Sequence, residues 1–471
     1  MPGRFLGSAI HAKVRDAVGP NCLTVPAWSG DTNLTEQVIK MSAYTVNRRG
    51  FLKTTGTAAL VLTALNHKAQ SGVGPNETIR VGCIGVGGMG TGRMKEFLRQ
   101  EDTQVVALCD VDREHLDAAA SICQEAKGQK PDLYKDFREI LDRNDIDAVS
   151  VTTPDHWHAI PFVLACEAGK DVFVEKPLSH SVWEGRRMCD AAKQNGRVSQ
   201  MGNHIHAGEN YREVVRIVRS GILGDVTRIQ VWKTAGFRDL GNPPDTNPPD
   251  CLDYDFWLGP APKRPYNPIR CHFNFRYFWD YSGGMFADFW CHISDIAYWA
   301  LDLKAPRTIA AVGGEQFAHD IGETPDYMEV IYDYDGVPLV FTLSPTGVPG
   351  FLHLGGIGCM IQGTKGTVVT NYDTHEVYLD NKKVENPDLG NTPPLEPSPG
   401  HIRQFLDSVK SRKQPDCNVF YAHQLAKGLH LGLIAFRTGE SLTWDDEKER
   451  FVGNNRANRF LKRRYRRPWK I

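Results

Sequence analysis

Three things are missing from this chain of 471 residues. No Cys-x-x-Cys occurs among its eleven cysteines, so the paired ligand spacing of a structural zinc site is absent. An odd cysteine count also argues against a complete disulfide framework. Cys83 and Cys109 fall in apolar strand-like runs, and Cys166 and Cys189 in helix-like ones, which reads as buried free thiols. No apolar run reaches the roughly twenty residues of a membrane span. Charge of one sign is missing too: 55 Lys and Arg against 56 Asp and Glu leave a net −1, with no global pull toward nucleic acid or an anionic bilayer. The terminal "KRRYRRPWK" is locally basic. No aromatic–basic interleaving accompanies it elsewhere, so it reads as a solvated terminus or a strap on a neighbouring subunit.

What is present is the composition of a globular protein too long for one core: two domains with appendages. Residues 1–40 lack clear periodicity. Met41 then precedes Arg48-Arg49, Phe51-Leu52-Lys53 and the short apolar run "TTGTAALVLTAL". This resembles a bacterial twin-arginine (Tat) export signal, with Asn47 where Ser or Thr is usual. "NHKAQS" is a poor cleavage site, so an uncleaved anchor is one expectation. On this reading residues 1–40 are a doubtful extension and residues 41–76 a signal and linker. The protein is then periplasmic, and cytoplasmic if the resemblance misleads.

"TIRVGCIGVGGMG" is a strand entering a glycine turn that opens a helix. Gly85, Gly87 and Gly90 fit Gly-x-Gly-x-x-Gly, with Gly88 and Met89 in the same turn. A second strand-like run ends at Asp110, where a carboxylate accepts from a ribose 2′-hydroxyl and repels a 2′-phosphate. NAD is therefore expected; Arg113 is the one feature nearby that would serve NADP. Two further runs end at Thr153-Pro154 and at Glu175-Lys176-Pro177. Ligands of open parallel sheets bind outside such carboxyl ends, so these residues are read as cofactor contacts and Lys176 as a cation in the cleft. His156 and His158 read as helix-start and packing groups.

A second domain follows. Segments such as "YMEVIYDYDG" and "VPLVFTLSPT", divided by glycine turns, predict a large, open, mostly antiparallel sheet. The stretch "GGMFADFWCHISDIAYWAL" predicts a helix starting near Phe286, with Asp288 and His292 one turn apart and Asp295 continuing the face. Alone, such a pair is more often structural, and no third metal ligand has obvious spacing. Residues 254–299 hold 15 aromatics, well above the 10% of the whole chain, and such faces suit stacking on a sugar ring. Tyr281 in that insert, and Asn203 and His204 at the end of "QMGNH", are the candidate substrate contacts.

Gly-x-Gly-x-x-Gly, the Thr153-to-His158 segment "TPDHWH" and Glu-Lys-Pro occur in an order that resembles the glucose–fructose oxidoreductase / inositol dehydrogenase (Gfo/Idh/MocA) family. The resemblance covers about residues 77–445. It implies an α/β fold: a Rossmann domain (77–200), then an α+β domain (201–445) with the large sheet, ahead of the basic tail (446–471). It also implies a catalytic group of Lys176, Asp288 and His292, no metal, and a homodimer or homotetramer formed through the sheet. The expected activity is NAD-dependent oxidation of a secondary alcohol in a sugar, polyol or glycoside. The alternative is a glycosidase that oxidises its substrate transiently, eliminates and reduces again, which needs a second base: His204, His206 or His272. Export of a folded protein would carry the cofactor along, so a tightly held cofactor is expected.

Overall fold

The structure is a computed structural model. It describes residues 77–348, 350 and 352–471, all within the compact unit Gln70–Ile471. The signal-like stretch and the first forty residues lie outside the described residues.

The first sheet contains β1 (Ile79–Ile84), β2 (Thr103–Cys109), β3 (Asp132–Tyr134), β4 (Ala148–Val151), β5 (Asp171–Val174) and β6 (Ser199–Met201). Its order is β3-β2-β1-β4-β5-β6, with every pair parallel. Runs such as "AVSV" are apolar throughout because helices cover both faces. The order reverses between β1 and β4, and that switch point opens a crevice at the carboxyl ends.

The second sheet contains β7 (Val226–Thr234), β8 (Thr308–Gly314), β9 (Tyr327–Tyr334), β10 (Val337–Ser344), β11 (Ile357–Gly363), β12 (Gly366–Thr370), β13 (His375–Leu379), β14 (Lys382–Val384), β15 (Leu442–Asp445) and β16 (Arg450–Phe451). It runs β14-β13-β12-β11-β7-β10-β9-β8-β15-β16 and is antiparallel except for the β7–β10 pair. Along β9, Met328, Val330 and Tyr332 are buried while Ile331 is exposed, the alternation of a sheet covered on one face. The cover is the helix Val419–Thr438, where the Gly428 carbonyl accepts from Tyr332 Oη at 2.9 Å.

Two late segments return to the first domain. The helix His401–Ser411 lays Ile402, Phe405 and Leu406 into the core of the first sheet, with Phe405 against Phe97 and Phe173. Arg403 pairs with Asp102 at 2.6 Å alongside. Part of the basic tail packs on its own chain. Tyr465 Oη donates to Glu184 at 2.6 Å, and the Trp469 ring lies 4.7 Å from Trp157 and stacks on Phe137. Arg463 and Arg466 find a carboxylate or carbonyl close by, so this part of the basic run is tied down.

The described cysteines are free thiols; Cys251 is half-buried and the others are buried. Among the described residues no helix is long and apolar enough to cross a membrane.

Candidate active site

Backbone geometry builds the first part of the site. Gly85 sits at φ +82°, and a Cβ there would meet the Thr152 carbonyl at 2.7 Å. A Cβ on Gly90 would lie 2.0 Å from the Gly85 carbonyl, so the helix Gly88–Leu98 closes onto the turn only with glycine there. Asp110 Oδ2 accepts from Val86 N at 2.8 Å and Gly87 N at 3.2 Å, tying the turn to the end of β2. Burial alone would raise this carboxyl; His115 and the backbone donors outweigh it and keep it below its ordinary value.

A cavity of about 450 Å³ lies over this turn. All the predicted cofactor residues line it except Gly90, which is buried beneath the turn. Arg113 is exposed, reaches only Asp117 at 3.6 Å, and does not line the cavity. Asp110 thus keeps the ribose position, with the His115 Nδ1 3.8 Å from its carboxylate. The site fits a dinucleotide: an open glycine cradle at Gly88, a carboxylate at the end of β2 and a buried Thr153 hydroxyl with no hydrogen-bond partner among the described residues. Glu175 is buried against Arg93, whose Nε donates to it at 2.5 Å.

Lys176 follows β5 and precedes a cis peptide to Pro177. Its Nζ donates to Asp288 Oδ1 at 2.5 Å and to the Asp288 carbonyl at 3.0 Å. Arg276 Nε donates to Asp288 Oδ2 at 3.1 Å. Burial would push the Asp288 carboxyl up, but the two cations hold it well below the usual carboxylate range. Lys176, Asp288 and Arg276 all line the cavity.

His292 lies one turn along the helix Gly284–Ile293, outside the cavity lining and 5.7 Å ring to ring from the exposed His204. Its Nδ1 faces Asn203 Oδ1 at 3.1 Å. Asn203 Nδ2 donates to the Cys291 carbonyl at 2.7 Å, which fixes the amide and leaves its oxygen for the imidazole. Nδ1 therefore carries the proton, and Nε2, with no hydrogen-bond partner among the described residues, keeps its lone pair. Burial, then the Lys176 ammonium, push the imidazole well below the ordinary histidine range. It is neutral at neutral pH.

The group that orients the imidazole is thus Asn203, which is buried rather than presented to a ligand. Asp295 does not continue the catalytic face. The helix breaks at Ser294, and Asp295 is buried between His206 at 2.9 Å and Tyr421 at 2.5 Å. Tyr281 is fully buried between His156 and Trp257, away from the cavity lining. His156 and His158 bond main-chain carbonyls, as packing groups do. The aromatic insert divides: Phe256, Trp257, Phe273 and Phe275 line the cavity, while Tyr254, Phe278 and Tyr281 form a core with Trp257. Arg276 and Arg93 were not anticipated from the sequence. Arg276 was visible only as a lone cation inside "FNFRYF".

Two family models match end to end: "Oxidoreductase family, NAD-binding Rossmann fold" over residues 79–203, and "Oxidoreductase family, C-terminal alpha/beta domain" over residues 207–471. The chain belongs to the Gfo/Idh/MocA oxidoreductase family. Its first domain is an NAD-binding Rossmann domain. Among curated relatives, an alpha-N-acetylgalactosaminidase of Shewanella oneidensis is 34% identical over 206 residues, covering 39% of this chain and 45% of that one. A glycosyl hydrolase family 109 protein of Shewanella pealeana is 33% identical over 202 residues, covering 38% and 44%. The matched region thus spans less than half the length of these relatives. Among solved structures, the WlbA dehydrogenase of Bordetella pertussis with NADH and UDP-GlcNAcA superposes with a TM-score of 0.58 at 19% identity, covering 78% of this chain and 99% of that one. A levoglucosan dehydrogenase with NADH and levoglucosan gives 0.57 at 17%, covering 78% and 99%. At such identities the likeness is one of fold.

Proposed function

We propose that the protein oxidises a secondary hydroxyl of a sugar, polyol or glycoside with NAD, and keeps the cofactor in its site through the cycle. The observation that carries this reading is a buried His292 whose Nδ1 faces Asn203 Oδ1, beside the Lys176–Asp288–Arg276 group at the cofactor cavity. NAD, when bound, supplies the hydride acceptor. His292 Nε2 takes the hydroxyl proton. The Lys176 ammonium stabilises the negative charge that develops on the oxygen. Asp288 stays anionic under its two cations and holds the ammonium in place. The cavity-lining aromatics Trp257, Phe273 and Phe275 offer apolar faces to a ring.

A second reading, glycoside cleavage through transient oxidation, is favoured by the names of the curated relatives. It needs a base besides His292. Of the three candidates, His206 is buried against Asp295 and His272 is engaged by Asp112, which leaves His204. The twin-arginine resemblance belongs with either reading, as a proposal that the folded protein is exported with cofactor loaded.

The test is to purify the protein without added cofactor, measure bound nicotinamide, and offer free sugars and aryl glycosides separately. Aglycone release with no net change in nicotinamide redox state would replace the dehydrogenase reading with the glycosidase one. Absence of any nicotinamide binding would sink both. His292→Ala is expected to lower kcat by at least about a hundredfold while keeping bound NAD; unchanged turnover removes His292 from the mechanism.

A further inference from the structure

The segment 251–273 lies in the second domain, between β7 and the helix that carries Asp288, yet it is stitched to the first. The Cys251 carbonyl accepts from Arg113 N at 2.9 Å, and Asp253 N donates to the Val111 carbonyl at 2.9 Å. An isolated bridge pairs Asp112 with Leu252. Lys135, just past β3, reaches the Asp253 carboxylate at 2.5 Å. The Trp257 carbonyl accepts from Trp157 Nε1 at 2.8 Å, in the loop after β4. The segment thus crosses the carboxyl ends of β2, β3 and β4, the edge at which an open parallel sheet receives its ligand.

The cavity is lined from both sides of this junction: by Asp110, Val111, His115 and Phe137 of the first domain and by Trp257 and His272 of the segment. One side-chain contact closes the span at its far end. His272 Nε2 meets Asp112 Oδ2 at 2.9 Å, and the His272 ring packs 4.6 Å from that of His115. Asp112 is a rigid anchor, because its Oδ1 caps the helix Arg113–Lys127 by accepting from Glu114 N at 2.8 Å. The remaining stitches, two main-chain hydrogen bonds and the contacts of the Lys135 and Trp157 side chains, hold the base of the segment.

We infer that residues 251–273 are a strap closing over the adenosine half of NAD, and that the His272–Asp112 hydrogen bond is its latch. The adenosine half is the one concerned because Asp110, at the end of β2, is the ribose carboxylate. The inference rests on the NAD-binding reading of the cavity. It gives the tightly held cofactor a physical cause: a dinucleotide leaves only after the strap lifts. No proton or electron is transferred; the latch acts on release.

The experiment loads full-length protein with NAD and follows its release during dilution into cofactor-free buffer. His272→Ala and Asp112→Asn are expected to release NAD at least about tenfold faster than the wild type. His272→Gln, whose amide still donates to Asp112, is expected to remain within a few-fold of it. Equal release from all four proteins overturns the latch. Faster release from the wild type on adding EDTA also overturns it in this form. Asp112, His115 and His272 present donors within 4.8 Å of one another, and a cation held there would then be the closing element. Should a variant fail to fold, alkylation of the half-buried Cys251 in the wild type decides: saturating NAD is expected to slow it, and an unchanged rate overturns the strap. Failure of the wild type to bind NAD at all would sink the functional reading instead, so the two failures are distinguishable.

Discussion

His292 owes its basic nitrogen to an amide. A carboxylate facing Nδ1 would favour the imidazolium and raise its pKa; Asn203 orients the ring without adding charge. Asn203→Asp is therefore expected to move the acidic limb of the kcat/KM profile upward by about one pH unit or more. A profile that keeps its limb would show that Asn203 does not face the titrating group. The cations around Asp288 follow a related logic. Lys176 and Arg276 share one carboxylate, so the group carries a net positive charge facing the place where an oxygen becomes negative.

At the scale of elements, the glycine turn is the most demanding piece. Gly90→Ala would bring a methyl carbon to 2.0 Å from the Gly85 carbonyl, forcing the helix Gly88–Leu98 away from β1. Loss of NAD binding and a destabilisation of about 2 kcal/mol are expected from isothermal titration and thermal melts; retained affinity would mean the turn tolerates displacement. This turn was legible in the sequence because its signal is local: strand, three glycines and Asp110 at a set distance. The antiparallel sheet was legible for the same reason, through period-two alternation and glycine turns. The pairing of Asn203 with His292 was not, since they lie 89 positions apart and only the packed fold joins them. Asp295 looked like a continuation of the Asp288–His292 face because helical spacing was carried through Ser294, where the helix in fact breaks. Tyr281 and its neighbours looked like one aromatic surface, and burial divided them into a wall and a core.

Across the whole molecule, buried neutral histidines set the response to acid. His156 and His292 are held well below the ordinary value of 6.5, and His401 and His430 down to about 3, in each case chiefly by burial. The unfolded chain therefore binds more protons than the folded one once pH falls through 6.5. Stability is lost from there downward, at up to about 1.4 kcal/mol per pH unit for each histidine, until the folded pKa values are reached. The thermal midpoint is expected to drop between about pH 7 and pH 5, before most carboxylates titrate; a flat midpoint would contradict this.

The helix His401–Ser411 also has a consequence in time. It completes the core of a sheet whose last strand, β6, ends at Met201, so about two hundred residues separate the two. On the ribosome the nucleotide domain is expected to stay unfinished, with Phe97 and Phe173 uncovered, until that helix follows about two hundred residues later. Residues 77–203 expressed alone are expected to aggregate, and to become soluble when residues 400–413 are joined back through a linker. Synthesis order and folding order then differ: the nucleotide domain is translated ahead of the second sheet and closes only after it.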